Sequence, residues 1–293
     1  KLTGENVGIK PIANPGETAL RWNWDAPLII SPHNNKRLYF AANKLFRSDD
    51  RGDTWKCISP DLSRNLDRNQ LPVMGRIQSS DAVMKNKSTT MFGNIVALDE
   101  SPVQEDLLYV GTDDGLINVT KNGGSSWSRI SDNLPQDLWV SKVYASTHDE
   151  ATVFVSMNGY RWDDFTPYVY MSQDYGKSWT PINSNLPFSP VNVIIEDNVN
   201  KDILYVGNDH GVYISLNKGK LWEPFTKGLN SAAVHDLIIQ KKMHHLLVGT
   251  HGRSIYLAEL EKIQKITKQK NLAYHLDGAR LFNALVAKNE NPK

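Results

Sequence analysis

Six aspartates in short polar loops could do chemistry in this chain: Asp25, Asp113, Asp114, Asp163, Asp164 and Asp209. Two carboxylates about 5–9.5 Å apart across a glycosidic bond can cleave it, one as acid and the other as base or nucleophile. The same loops carry Trp22, Trp24, Trp139, Tyr160 and Trp162, with Arg76, His210, His251 and Arg253 among them. Aromatic faces beside carboxylates suit sugar stacking, and Trp, Tyr and Arg together suit the anchoring of a protein partner. Other chemistries find less footing. The single cysteine, Cys57, excludes an internal disulfide framework and a multi-cysteine metal site. His244 and His245 are adjacent, so on a strand they point to opposite faces, and His148 has no partner pattern; no metal is expected. There is no phosphate-cradling glycine loop and no Ser-His-Asp arrangement in recognisable context, so no cofactor is expected.

The elements that must hold these loops repeat. The pattern Ser/Thr-x-Asp/Asn-x-Gly-x-x-Trp occurs four times. Its members are Ser48, Asp50, Gly52 and Trp55; Thr120, Asn122, Gly124 and Trp127; Ser172, Asp174, Gly176 and Trp179; Ser215, Asn217, Gly219 and Trp222. Each box follows a pair of β-rich runs, such as Leu38-Tyr39-Phe40 and Lys44-Leu45-Phe46, and precedes a short one, Trp55-Lys56-Cys57-Ile58 in the first copy. One run earlier lies another apolar stretch, such as Val193-Ile194-Ile195. Helical periodicity is nearly absent, and four-strand units recurring with insertions of different size predict an all-β fold, a β-propeller with one unit per blade. The box is expected to be the hairpin between a blade's third and fourth strands. Its Asp or Asn would bind the turn's own N–H groups, its glycine would supply positive φ, and its tryptophan would pack on a neighbouring hairpin. These sixteen positions are therefore read as structural. Asp50 and Asp174 in particular are not candidates for catalysis.

Ser-x-Asp-x-Gly-x-Thr-Trp is similar to the Asp-box, or BNR repeat, of sialidases, sortilin-type receptor ectodomains and tandem-propeller xyloglucan hydrolases. From Arg21-Trp22-Asn23-Trp24 to Gly249-Thr250-His251-Gly252-Arg253 the chain resembles the C-terminal part of large bacterial sortilin-like BNR proteins, which are commonly labelled glycosyl hydrolases. The resemblance implies a propeller. It also points to Asp25, because xyloglucan-type relatives hold a catalytic aspartate in a similar Trp-rich lead into a first strand. A sialidase reading lacks the family's Arg-Ile-Pro element, for which Arg76-Ile77-Gln78 is no substitute.

The units divide the chain into a lead-in over 1–20, blades over 21–259 and a helical tail or linker over 260–293, where Leu260, Ile263 and Ile266 keep helical spacing. A fifth unit, 233–259, has neither box nor fourth strand. Residues 5–12 could supply that strand; otherwise further blades lie outside this chain. Propeller topology puts the boxes with the first-to-second hairpins on one face. The second-to-third loops and blade connections, which carry every candidate residue named above, emerge on the other. With 22% charged residues and a net charge of +1, nothing favours nucleic acid, and no apolar run spans a bilayer. The chain opens on Lys1-Leu2-Thr3 and is read as a fragment or mature segment of a secreted, periplasmic or cell-surface protein. Of the sequons Asn86-Lys87-Ser88 and Asn118-Val119-Thr120, the second falls inside a box and is read as coincidental. Two functions stand: a non-catalytic module binding a protein or peptide, within a membrane-surface assembly, and a glycan-cleaving hydrolase using Asp25, Asp163 or Asp164. The residues favour the first.

Overall fold

The structure is a computed structural model that describes residues 4, 8–83, 92–225 and 231–260. The helical tail expected over 261–293, the sequon at Asn86 and residues 5–7 of the expected closing strand lie outside these. Strands come in chain order as β1 (Leu28–Ile30), β2 (Leu38–Ala41), β3 (Leu45–Ser48) and β4 (Lys56–Cys57), which form one antiparallel sheet in that order. A small hairpin, β5 (Pro72–Val73) and β6 (Arg76–Ile77), then interrupts the long connection. The second sheet is β7 (Ile95–Glu100), β8 (Leu108–Thr112), β9 (Ile117–Thr120) and β10 (Ser128–Arg129). The third is β11 (Trp139–Ala145), β12 (Val153–Gly159), β13 (Asp164–Ser172) and β14 (Thr180–Pro181). The fourth is β15 (Val191–Glu196), β16 (Leu204–Asn208), β17 (Gly211–Ser215) and β18 (Glu223–Pro224). The fifth has three strands, β19 (Val234–Gln240), β20 (His245–Thr250) and β21 (Ile255–Glu259). This is the blade pattern of a β-propeller, and in each of the first four sheets a box lies between the third and fourth strands. Fourth strands are shorter than expected, only two residues each.

The chain divides into two compact units, Lys1–Ala145 with Tyr175–Lys177, and Ser146–Asp174 with Ser178–Lys293. The second strands of the second and fourth sheets are buried on both faces, which is why they read as unbroken apolar runs: every residue of β8 and β16 is buried. The boxes hold the outer hairpins. In the first, Asp50 Oδ1 accepts from Thr54 N at 2.9 Å and from Ser48 Oγ at 2.7 Å, while Gly52 N donates to Ser48 Oγ at 2.8 Å. The Thr54 hydroxyl and amide are the main reason the Asp50 carboxyl is held down at about 2. Two successive left-handed residues make the turn, Arg51 (φ 67°) then Gly52 (φ 98°), and the same pair recurs at Tyr175–Gly176 and Lys218–Gly219. Glycine is needed at the second position because the turn lies against the preceding blade: a Cβ on Gly124 would stand 2.3 Å from Ile58 O.

The tryptophans act as expected in position but not in depth. Trp222 is 2% exposed, whereas Trp55, Trp127 and Trp179 are only half-buried. Indoles of the boxes donate Nε1 to a carbonyl of the preceding segment: Trp127 to Ile58 O at 3.0 Å and Trp222 to Ile182 O at 2.7 Å. Trp55 donates to Ile9 O at 2.7 Å, so Ile9 of the lead-in stands where Ile58 and Ile182 stand in later blades. Asn118, the sequon residue in the second box strand, is 7% exposed and donates to Leu62 O, which withholds it from modification.

A second staple was not legible beforehand. His33 Nε2 lies 2.8 Å from Ser101 O, and His148 Nε2 lies 2.7 Å from Asp197 O. Both follow Ser-x-His, with the serine capping the turn by accepting the histidine's own N–H. These histidines join one blade's first hairpin to the next. Beside the first staple, Asp99 accepts Ala145 N at 2.8 Å. Burial raises its carboxyl to about 6, against the opposing pull of Lys142. A raised acid stabilises the fold fully below the unfolded value of 3.8, and the benefit is lost as pH climbs towards 6. Asp99→Asn should therefore remove about 2 kcal/mol of the stability lost between pH 4 and pH 7. Urea unfolding at both pH values checks this; an unchanged pH slope would refute it.

Candidate functional site

In the first unit the second-to-third loop of the second blade and the blade connections do gather at one end. Asp113 Oδ1 accepts Gly93 N at 2.9 Å and Asn94 N at 2.8 Å; its Oδ2 accepts from Asn94 Nδ2 at 3.0 Å and from Asn23 Nδ2. Asp114 accepts Arg64 N at 2.8 Å and the Thr112 hydroxyl at 2.5 Å. The two carboxylates are 5% and 1% exposed, and burial is the main cause of their raised pKa values. They tie four segments together and are closed to substrate, which removes them as catalysts. Arg21 has a matching role, donating to Asp61 at 2.6 Å, to Ser63 and to Gly93 O. Arg64 pairs with Asp137 on the connection that follows.

Of the other candidates in this unit, Trp22 is taken up in packing. Its ring lies 4.8 Å from Phe40, which lies 6.1 Å from Trp55, and Lys10 Nζ sits over the Trp22 ring, 4.5 Å from its centroid. Trp139 is half-buried at the start of β11. Trp24 is 85% exposed, and Asp25 next to it is exposed with its N–H bonded to Asn23 Oδ1. Arg76 is exposed in the β5–β6 hairpin, beside Met74 at 97%.

In the second unit the loop between β12 and β13 departs from the tight turns of its counterparts. Tyr160–Trp162 form a single 3-10 turn, ended by Asp163 in left-handed conformation at φ 62°. Asp164 then returns the chain to the sheet, accepting Thr166 N at 2.9 Å and the Tyr168 hydroxyl at 2.7 Å. Burial would raise its carboxyl, but these donors hold it below the ordinary range. A carboxylate so held is a hairpin clamp and a poor proton donor. The loop's apolar side chains face water: Tyr160 is 44% exposed, Trp162 67% and Phe165 37%. Phe165 meets Phe188 of the next connection with ring centroids 6.2 Å apart, and Phe188 is itself 68% exposed. The Arg161 guanidinium lies 4.5 Å above the Tyr160 ring. Phe188 escaped sequence reasoning; its setting, Pro187-Phe188-Ser189-Pro190, was the available signal, since a large aromatic in a proline-fixed connection has no strand to bury it.

The remaining loop residues serve turns. Asp209 holds Asn192 at 2.9 Å, and Asn208 Oδ1 caps His210 N and Gly211 N. His251 lies against His235 with ring centroids 5.4 Å apart, and Arg253 is exposed beside it in the same turn. Among the described residues there is no group of three or more His, Cys, Asp or Glu side chains able to hold a metal ion.

Comparison with known proteins bears on what this arrangement is. The family model for the BNR-Asp box repeat matches residues 45–58, which are β3, the first box and β4. The protein is a BNR/Asp-box β-propeller. A model for β-eliminating lyases also matches residues 238–293, but the described part of that stretch is β19–β21 of this Asp-box propeller's fifth sheet. No curated protein sequence matches the chain. Among solved structures the propeller is similar to the GH74 xyloglucanase from Xanthomonas campestris, with 18% identity and a TM-score of 0.57 over 79% of this chain and 36% of that one. It is similar to YCF48 bound to D1 peptide, with 14% identity and a TM-score of 0.51 over 89% of this chain and 72% of that one. It is also similar to the extracellular domain of BT4673 from B. thetaiotaomicron, with 14% identity and a TM-score of 0.52 over 86% of this chain and 28% of that one. At these identities the likeness is one of fold. The Asp-box propeller spans about a third of the xyloglucanase's length. Among its described residues no helix is long and apolar enough to cross a membrane.

Proposed function

We propose that this propeller is a non-catalytic recognition module that holds a protein or peptide through Tyr160, Trp162, Phe165 and Phe188. The observation that carries the reading is the exposure of four large aromatic side chains on one loop and its neighbouring connection. Exposed aromatic clusters on a rigid frame cost solvation unless a partner covers them, and Trp and Tyr dominate the energetics of such contacts. A peptide fits a shallow cluster of this kind, and YCF48, a propeller of similar fold, has a bound peptide. The hydrolase reading asks for two carboxylates facing an open groove, at least one of raised pKa. Here the raised pair Asp113 and Asp114 is buried, and the exposed Asp163 has as its immediate neighbour the clamped Asp164. A secreted, periplasmic or cell-surface location belongs to the same proposal, supported by the likeness to an extracellular domain.

The test is selection of a random twelve-residue phage-displayed peptide library on the chain, followed by titration of enriched peptides. Trp162→Ala should weaken them at least about tenfold, as for an interface anchor worth more than 1 kcal/mol, with the melting temperature unchanged. Peptides that bind Trp162→Ala and Phe188→Ala as tightly as the parent would overturn the proposal. Release of reducing ends from xyloglucan, lost in Asp25→Asn, would replace it with the hydrolase.

A further inference from the structure

The first strands of the fourth and fifth sheets carry the same irregularity. β15 shifts register between Val191 and Val193, opposite Asn208 and Gly207, and β19 shifts between Val234 and Asp236, opposite Thr250 and Gly249. Each shift leaves one residue out of the ladder, Asn192 in the fourth sheet and His235 in the fifth. That residue stands beside the turn after the second strand, which opens with Asp209 in the fourth sheet and His251 in the fifth. The same two positions therefore meet twice. In the fourth sheet they hold a complementary pair, with Asn192 Nδ2 donating to Asp209 Oδ1 at 2.9 Å. In the fifth they hold two imidazoles, His235 and His251, with ring centroids 5.4 Å apart and planes tilted by 37°.

Two imidazoles do not complete one another as an amide and a carboxylate do. Both residues are exposed, and among the described residues neither ring has a hydrogen-bond partner. The backbone of His251 is nonetheless fixed, its N–H donating to Ala233 O at 2.8 Å. Each neutral ring offers one nitrogen lone pair, and imidazole is a ligand suited to Zn2+, Cu2+ and Ni2+. The spacing agrees with one shared ion. Zn–N bonds of about 2.0–2.1 Å put the centres of two rings on a tetrahedral ion about 5 Å apart. Charge nearby favours a cation as well. Asn192, which holds the exposed Asp209, also donates to Val234 O at 3.2 Å, so a carboxylate is anchored beside the residue before His235. Arg253, two residues after His251, opposes it. No group of three His, Cys, Asp or Glu forms around the pair among the described residues. An ion held here would keep coordination positions open to water or to a donor brought by a ligand, unlike a closed structural site.

We infer that His235 and His251 form a two-imidazole surface site for a divalent transition ion. The site uses none of the residues of the peptide-binding reading and is independent of it. The experiment titrates Zn2+ into the untagged 293-residue chain by calorimetry at neutral pH. It is repeated on His235→Ala, on His251→Ala and on the double variant His235→Asn with His251→Asp, which copies the fourth sheet's pair. One ion should bind per chain. Each single variant should bind it about a hundredfold more weakly, because the second imidazole no longer adds its intramolecular contact. The double variant should lose the ion too, and all three should keep the parent's melting temperature in the absence of metal. His210→Ala and His275→Ala, the latter outside the described residues, should leave the affinity as it is. Failure to bind at millimolar Zn2+ would overturn the inference, as would affinity that survives both single substitutions. A loss confined to His210→Ala or His275→Ala would also overturn it, since that result assigns the ion to another site. A second measurement needs no variant: substoichiometric Cu2+ should broaden the imidazole proton resonances of His235 and His251 before those of the other histidines, and broadening that spares both would count against the site.

Discussion

Trp222→Ala is expected to lower the unfolding free energy by about 3–5 kcal/mol, the range for removing a fully enclosed aromatic from a core. Three losses combine at this position. The indole is 2% exposed, so its whole apolar surface returns to water and a cavity remains. Its Nε1 donates to Ile182 O at 2.7 Å, and truncation leaves that carbonyl without this donor. Its backbone is gripped by Asn185, which accepts Trp222 N at 2.8 Å and donates to Trp222 O at 2.8 Å, so the segment has little freedom to collapse into the gap. Trp55→Ala should cost roughly half as much, because that ring is only half-buried and its partner, Ile9, belongs to the lead-in. Chemical unfolding of both variants checks the ranking. Equal effects would mean that the four boxes are interchangeable and that burial does not set their contribution.

That ranking also shows what the sequence could and could not convey. Box chemistry is local: Ser48, Asp50 and Gly52 complete their bonds within five residues, so the string itself specifies the turn. Four such turns gave the propeller. The depth of each tryptophan is set by the blade packed against it, and no local string encodes that. The Ser-x-His staples were missed for the same reason, since the partners of His33 and His148 are backbone carbonyls 68 and 49 residues away. Such acceptors leave no mark on residue type. In the loops, composition told exposed chemistry apart from structural chemistry poorly. Asp113-Asp114 and Asp163-Asp164 are the same dipeptide, yet the first pair is buried in a net of donors and the second turns a hairpin beside exposed aromatics. The insertion Tyr160–Phe165 stood out because a turn does not need it. Phe188 did not, because one aromatic in a connection is unremarkable until the structure shows Phe165 beside it.

The contrast between those two pairs gives the second large effect. Asp113→Ala should destabilise the protein by about 3–5 kcal/mol, from several buried donors each costing about 1–3 kcal/mol when left unpaired, partly offset by relaxation. The donors are Gly93 N, Asn94 N, Asn94 Nδ2 and Asn23 Nδ2, and they come from two segments far apart in the chain. Asp163→Ala, at an exposed position whose left-handed φ of 62° suits Asp better than Ala, should cost only about 1 kcal/mol. Asp113→Asn separates charge from shape: it keeps the volume and, like the protonated acid, presents one donor and one acceptor, so it should recover more of the loss in acid than at neutral pH. The sign of the pH effect is worked out from the same burial. Asp113 has a raised pKa, so its contribution is complete at acid pH and declines as pH rises through the folded value. The deficit of Asp113→Ala should accordingly be largest in mildly acidic buffer and smaller at neutral pH. Unfolding curves for the three variants at two pH values decide the matter. If Asp113→Ala costs less stability than Asp163→Ala, the structural and exposed aspartates have been assigned the wrong way round, and the first unit's loop end, not the aromatic loop, becomes the place to look for a bound ligand.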